Sequence, residues 1–381
     1  MGATFNFTSW VLYLLPKNGE PLAPRSEATE ALFLLNRRRE RGKELSLDEE
    51  FGGRDLAGSA VGESIVEGAS ADCKGPVSHL RAGSSASQTP SREDDKGSDL
   101  FVGEGTDECW MDFDGARMRY LRSGSGPPLI LLHGLMGYSF SWRFTMPALA
   151  PFRTCYAPDL LGAGFSDRPK IDHSMRATAL RVVKFADNLG LESFDLLGTS
   201  RGGAVAMCAA AECLEKGHPS LRSLILVAPV NPYSKHGRRL APFCGSRLGS
   251  GLARAILERM PFLYPYIHGR LYGDRAKILP GTLAGYTAPL AIPGLFEHAL
   301  SIVSTWTADL RELETLLTKL SSLPTLLMWG TKDPAVYYSS MERLGRYFPG
   351  AEKVAFAGVG HLPYEECADE FNRALISFLN R

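Results

Sequence analysis

The sequence predicts an α/β protein: a mostly parallel, doubly wound sheet, opened by an antiparallel hairpin, with a helical layer inserted before the penultimate strand. Three observations predict it. Short apolar runs without polar alternation recur between residues 128 and 356, the pattern of strands buried on both faces. Amphipathic or Ala-rich stretches lie between several of them, as crossovers between parallel strands require. One interval, from about Asn231 to Leu323, carries no strand pattern and breaks the alternation.

Taken in order, the first hundred or so residues differ from the rest. Trp10 to Pro16 is apolar but too short to span a bilayer. It lacks the basic flank and small-residue cleavage site of a signal peptide. Glu27 to Arg41 reads as one helix whose Arg37-Arg38-Arg39 run is a solvated face. Gly52 to Ser64 is rich in Gly and Ala, and Gly83 to Ser98 has almost nothing apolar. Such segments bury too little surface to offset their ordering entropy. Residues 1–105 are therefore expected to form a mostly disordered leader.

Asp114-Gly115 separates Trp110–Phe113 from Ala116–Leu121, a hairpin signal. The buried runs that follow are Pro128–Leu132, Cys155–Ala157, Phe194–Leu197, Leu224–Ala228, Thr325–Trp329 and Val354–Phe356. Helices are expected over Met175–Leu189, Gly202–Leu214 and Ala368–Leu379, where apolar residues recur at helical spacing or Ala dominates. The expected division is a core of residues 106–230 and 323–381 and a helical cap of residues 231–322. A stretch that long between two strands must form its own layer. It is expected to lie as a lid over the edge where open α/β sheets bind ligands.

Composition narrows the function. The 381 residues carry 42 Lys+Arg against 42 Asp+Glu. That balance argues against a general nucleic-acid binder and gives no reason for docking on anionic lipid. The seven cysteines are scattered and never form C-x-x-C, neither a disulfide framework nor a zinc site. They fit a reducing, cytoplasmic setting. No metal, nucleotide or flavin signature is present, so no cofactor is expected. Gly162-Ala163-Gly164 lacks the third glycine and opening helix of a dinucleotide site. No stable membrane insertion is expected, and the oligomeric state is not readable.

The sharpest motif is Gly198-Thr199-Ser200-Arg201-Gly202, a G-x-S-x-G after an apolar strand and before a helix. So tight a turn strains its central residue and demands small neighbours two positions either side. The strain lifts the Ser200 hydroxyl clear, and the following helix points amides at the same spot. A serine hydroxyl needs an adjacent base. His361, in a Gly-bracketed loop after the last strand, is the candidate, and Asp333, just after Trp329-Gly330, is the orienting carboxylate. The order Ser200, Asp333, His361 matches that expected of such a site. Asp159 is the rival carboxylate, but its Gly-rich surroundings read as a structural loop. Acyl transfer also needs oxyanion donors. The Arg201 amide is one; the other is expected from His133-Gly134-Leu135-Met136-Gly137, at Leu135, with Met136 as the fallback. His133 reads as structural.

Together these residues resemble the α/β-hydrolase superfamily. The likeness covers roughly Met111 to Arg381. It rests on His133-Gly134, Trp142-Arg143, Ala157-Pro158-Asp159-Leu160 with Gly162–Asp167, the Ser200 motif, Trp329–Asp333 and Gly360-His361. It falls in the branch holding epoxide hydrolases, haloalkane dehalogenases, small esterases and carbon–carbon bond hydrolases. The resemblance implies Ser200 as nucleophile, Asp333 as acid and His361 as base, with the interval from Asn231 as the cap domain. Two departures matter. The first two activities use Asp at the nucleophile position, where this chain has Ser200, so both are discounted. Arg201 is unusual there; its side chain could meet a substrate carboxylate, or equally pack or form a salt bridge.

The expectation is a carboxylesterase-like serine hydrolase acting on a small to medium apolar ester. Carbon–carbon hydrolysis, a lyase or a cofactor-free oxygenase is the alternative on the same fold, and a non-catalytic ligand receptor the alternative in another class. Phe243, Phe262, Tyr264, Tyr266, Tyr272 and Tyr286 of the lid suggest an apolar pocket, and read equally as packing between lid and sheet.

Overall fold

Asp114 and Gly115 both adopt positive φ, 55° and 86°, as a two-residue hairpin turn of the favoured hand requires. The turn joins β2 (Thr106–Phe113) to β3 (Ala116–Ser123). The structure, a computed structural model, describes residues 72–74, 105–234, 236–259 and 263–381. The strands that follow are β4 (Pro128–Leu132), β5 (Thr154–Pro158), β6 (Ser193–Thr199), β7 (Ser220–Val227), β8 (Thr325–Gly330) and β9 (Glu352–Phe356), and β1 (Asp72–Lys74) precedes them all. They form one sheet in the order β1-β2-β3-β5-β4-β6-β7-β8-β9. The β1–β2, β2–β3 and β3–β5 pairs are antiparallel and every other pair is parallel. This is the doubly wound sheet with an opening hairpin that the apolar runs predict.

The runs lack polar alternation because both faces are covered. Ile130, Leu132 and Leu196 enter a core shared with Val182 and Phe185. Their neighbours Leu129, Leu131 and Leu197 enter a second core with Trp142 and Phe371. Helices α1 (Met175–Asn188) and α2 (Arg201–Lys216) therefore lie on one face. The C-terminal helix Ala368–Leu379 lies on the other. Ser174 caps α1, its hydroxyl accepting from the Ala177 amide.

Between β7 and β8 the described residues form helices joined by loops, with no strand among them. The interval holds α3 (His236–Cys244), α4 (Arg247–Arg259), α5 (Leu263–Gly269), α6 (Thr282–Thr287) and α7 (Leu295–Leu316). The longest, α7, packs on α3 and sends Ile302, Trp306, Leu310 and Leu313 into the first core. The absence of a strand pattern here thus reflects helices joined by loops in the described part.

β1 falls inside the segment read as a leader and pairs antiparallel with β2. A three-residue strand leaves no periodic signal. Cys109 is disulfide-bonded, which the scattered cysteine spacing and the expected reducing setting did not signal. Among the described residues Cys155, Cys208, Cys213, Cys244 and Cys367 are free. The stretches Trp10–Pro16 and Glu27–Arg41, and Phe262, lie outside the described residues.

Candidate active site

Four loops at the C-terminal ends of the parallel strands carry the residues singled out above. Ser200 sits between β6 and α2 with φ 52° and ψ −122°, a backbone state that costs about 1–3 kcal/mol outside glycine. The surroundings hold it there. The Ser200 amide donates to the Val227 carbonyl at 3.0 Å, and its carbonyl accepts from the Val230 amide at 2.8 Å. The glycine spacing is steric. A Cβ on Gly198 would strike the Gly202 carbonyl, its carbon at 2.6 Å. A Cβ on Gly202 would strike the carbonyls of His133 and Leu132, the latter at 2.5 Å.

Asp333 and His361 are both buried and meet directly, Nδ1 to Oδ2 at 2.7 Å. The other carboxylate oxygen of Asp333 accepts from the Ala335 and Val336 amides at 2.8 and 2.9 Å. That fixes the carboxylate plane, so the imidazole receives a defined acceptor at Nδ1 and presents Nε2 elsewhere. The His361 amide donates to Leu271 O at 2.7 Å. Among the described residues Ser200 and His361 share no hydrogen bond, and such bonds commonly tighten only with substrate bound.

The loop after β4 lies against the serine. A Cβ on Gly134 would stand 3.1 Å from Ser200 Cβ, which is why the chain can pass so close there. The loop closes through Gly137 N to Gly134 O at 3.1 Å, with Met136 at φ 61°. Leu135 thus lies one residue beyond the close approach at Gly134, and Arg201 one residue beyond the serine, at the start of α2.

The remaining polar residues sort by their contacts. His133 is buried, with Nδ1 2.8 Å from Gly134 O and Nε2 accepting from the Leu160 amide at 3.1 Å. Burial lowers its pKa against the opposing Gly134 carbonyl. A neutral imidazole satisfied on both nitrogens is a structural one. Asp159 accepts from the amides of Ser139 and Phe165 and from Arg119, so it organises its own loop. The Arg201 side chain turns inward, Nη2 donating to His173 O at 2.6 Å. Burial, only partly opposed by Asp309, brings it down to about 10. Of the two readings of that side chain, the geometry matches internal packing.

A polar cluster next to this site brings together Arg143, Glu365 and two lid tyrosines that the sequence reading took only as apolar lining or packing. Arg143 grips Glu365 with two bonds, 3.0 Å to Oε1 and 2.9 Å to Oε2. Tyr272 and Tyr286 donate to the same carboxylate. Burial alone would raise the Glu365 carboxyl; Arg143, with His268 and Tyr272, outweighs it and holds the group below its ordinary value. Glu366 accepts from Gly360 N at 2.8 Å, Gly273 N at 2.9 Å and Asp274 N at 2.9 Å. It thus ties the His361 loop to the inserted interval. Glu365-Glu366, four and five residues past His361, was the available signal. Its partners lie 222, 93 and 79 positions away, so nothing local said what it would hold.

A model described as "Alpha/beta hydrolase family" matches residues 129–374. Haloalkane dehalogenase 2 of Mycobacterium tuberculosis is 30% identical over 275 residues, 70% of this chain and 93% of that protein. The solved structure of a membrane phospholipase A, a bacterial virulence factor, aligns with TM-score 0.59 and 26% identity, over 72% of this chain and 86% of that one. A meta-cleavage product hydrolase aligns with TM-score 0.55 and 26% identity, over 74% and 98%. Among the described residues no helix is long and apolar enough to cross a membrane.

Proposed function

The chain belongs to the alpha/beta hydrolase family, and we propose that within it the protein is a carboxylesterase-like serine hydrolase of small to medium apolar esters. The observation that carries this reading is a strained Ser200 on a strand-to-helix turn, at the same sheet edge as a buried Asp333–His361 pair 2.7 Å apart. In this reading His361 Nε2 takes the Ser200 proton as Oγ attacks the ester carbonyl. The Leu135 and Arg201 amides hold the oxyanion, where fixed donors contribute most. Asp333 keeps the proton on Nδ1 and stabilises the imidazolium. His361 then protonates the departing alcohol, and water, deprotonated by the same imidazole, cleaves the acyl-enzyme.

Residues 231–322 act as the cap over this edge, and residues 106–230 and 323–381 as the core, to whose sheet β1 adds an edge strand. Stacked Tyr138 and Phe140 with Tyr286 edge-on form a buried aromatic cluster, which supports packing between lid and core. Five free thiols support a cytoplasmic setting, and the Cys109 disulfide stands against it. A serine at the nucleophile position argues against the alkyl-enzyme chemistry of a dehalogenase.

A fluorophosphonate probe tests the proposal. Labelling is expected in the wild type and absent in Ser200→Ala, with ester turnover lowered by roughly 10³-fold or more. Activity that survives Ser200→Ala but not His361→Ala would replace the acyl-enzyme with a base-only reaction. Tight ligand binding with no turnover of any ester would make the protein a receptor.

A further inference from the structure

His268, in α5, is almost wholly buried, and its Nε2 is shut off from water without any hydrogen-bond partner. Its position is fixed from two sides. On one, the His268 carbonyl accepts from Leu271 N at 2.9 Å, and Leu271 O accepts from His361 N at 2.7 Å. On the other, its ring stacks 6.2 Å from Tyr264, whose hydroxyl donates to Met136 O at 2.9 Å. His268 therefore stands between the His361 loop and the loop that abuts Ser200. Tyr286 and Tyr272 complete the wall, with ring centroids 4.1 and 5.9 Å away.

A buried polar nitrogen without a partner is costly unless something pairs with it. We infer that His268 is a specificity-determining residue that hydrogen-bonds a neutral hydroxyl of the substrate close to the scissile ester. The inference rests on the serine-hydrolase reading. The ligand chemistry follows from the surroundings. Burial depresses His268 to about 4, so the ring is a neutral imidazole and offers no charge to an anion. Glu365 and Arg143 stand close on either side of the balance, but each is already committed to the other. A carboxylate or an ammonium on the substrate would meet one of them with the wrong sign. A hydroxyl both donates and accepts, so it satisfies either tautomer of the ring.

The test compares kcat/KM on two arms. Butyl 3-hydroxybutanoate against butyl butanoate places the hydroxyl on the acyl side. 3-Hydroxybutyl butanoate against butyl butanoate places it on the alcohol side. The wild type is expected to prefer the hydroxylated ester about tenfold or more on one arm. His268→Phe is expected to bring that ratio to about one, and His268→Gln to keep part of it. His268→Leu replaces the Phe variant if that one does not fold. A wild-type ratio near one on both arms overturns the inference without any variant, and so does a preference that survives loss of the imidazole. Fluorophosphonate labelling of Ser200 in the same preparations separates the two failures. Labelling with equal ratios removes only the role of His268, whereas no labelling removes the hydrolase reading beneath it.

Discussion

Leu131 in β4 and His268 in α5 are both nearly inaccessible to water, and burial has opposite consequences for them. Removing the Leu131 side chain from water stabilises the fold by about 1.5–3 kcal/mol. Burying His268 Nε2 unpaired costs about 1–3 kcal/mol. The same contrast runs through the two regions. The sheet is held by apolar side chains interleaved on both faces. The inserted interval is held to it along α7 by apolar packing, but near His361 by amides, a carboxylate pair and phenols. The apolar part serves stability whatever the chemistry. The polar part near His361 is held by specific hydrogen bonds, with His268 Nε2 left without a partner.

One substitution made in each region should break or sharpen that contrast most. Gly202→Ala, beside Ser200, drives a Cβ into the Leu132 and His133 carbonyls. Neither backbone can yield, so a loss of about 3 kcal/mol or more is expected. Gly251→Ala, inside α4, meets nothing within 4 Å. There only helix propensity acts, a gain of up to about 1 kcal/mol. Urea unfolding of both variants should give shifts of opposite sign. Two losses of similar size would mean that α4 is packed as tightly as the sheet edge.

The seam between the regions should respond next. Glu366→Ala strips the acceptor from the Gly360, Gly273 and Asp274 amides at once. A loss of about 2–3 kcal/mol is expected, together with faster hydrogen exchange at those three amides. Glu366→Gln keeps one acceptor oxygen and should fall between. If the alanine variant exchanges like the wild type, the carboxylate does not couple the His361 loop to the inserted interval.

What could be read from the sequence divides along the same line. Pro128–Leu132 and Ala368–Leu379 match their predicted bounds because both faces of a buried strand, and one face of an amphipathic helix, write themselves into local spacing. Ser200, Gly198 and Gly202 were equally legible, since the turn imposes its steric demand within five residues. The meeting of Asp333 with His361 could be inferred from chain order and strand ends, but not its 2.7 Å geometry. Arg143, Glu365 and Tyr286 could not be grouped at all. Their partnership spans distant positions, and a polar residue destined for burial looks locally like one destined for solvent. The short strand at Asp72–Lys74 was missed for want of length.

Acid tests the polar region directly. His268 is depressed to about 4, chiefly by burial, and His298 in α7 to about 2 for the same reason. An imidazole in the unfolded chain titrates near about 6.5. Between about 6.5 and 4 the unfolded chain binds protons that folded His268 refuses. The stability tied to the neutral ring is therefore complete above about 6.5 and drains away as pH falls towards 4, by up to about 1.4 kcal/mol per pH unit. Glu365 has the same sign but acts lower, since its folded carboxyl is held below its ordinary value. His268→Phe removes one titrating ring and leaves Glu365, Arg143 and His361 in place. The stability difference between wild type and variant, followed by urea titration from pH 7.5 to 4.5, should move in favour of the variant as pH falls. A difference that stays level across that range would mean that the ring takes up its proton in the folded state as readily as in the unfolded one. In that case the inserted interval would not bury a neutral imidazole beside the site.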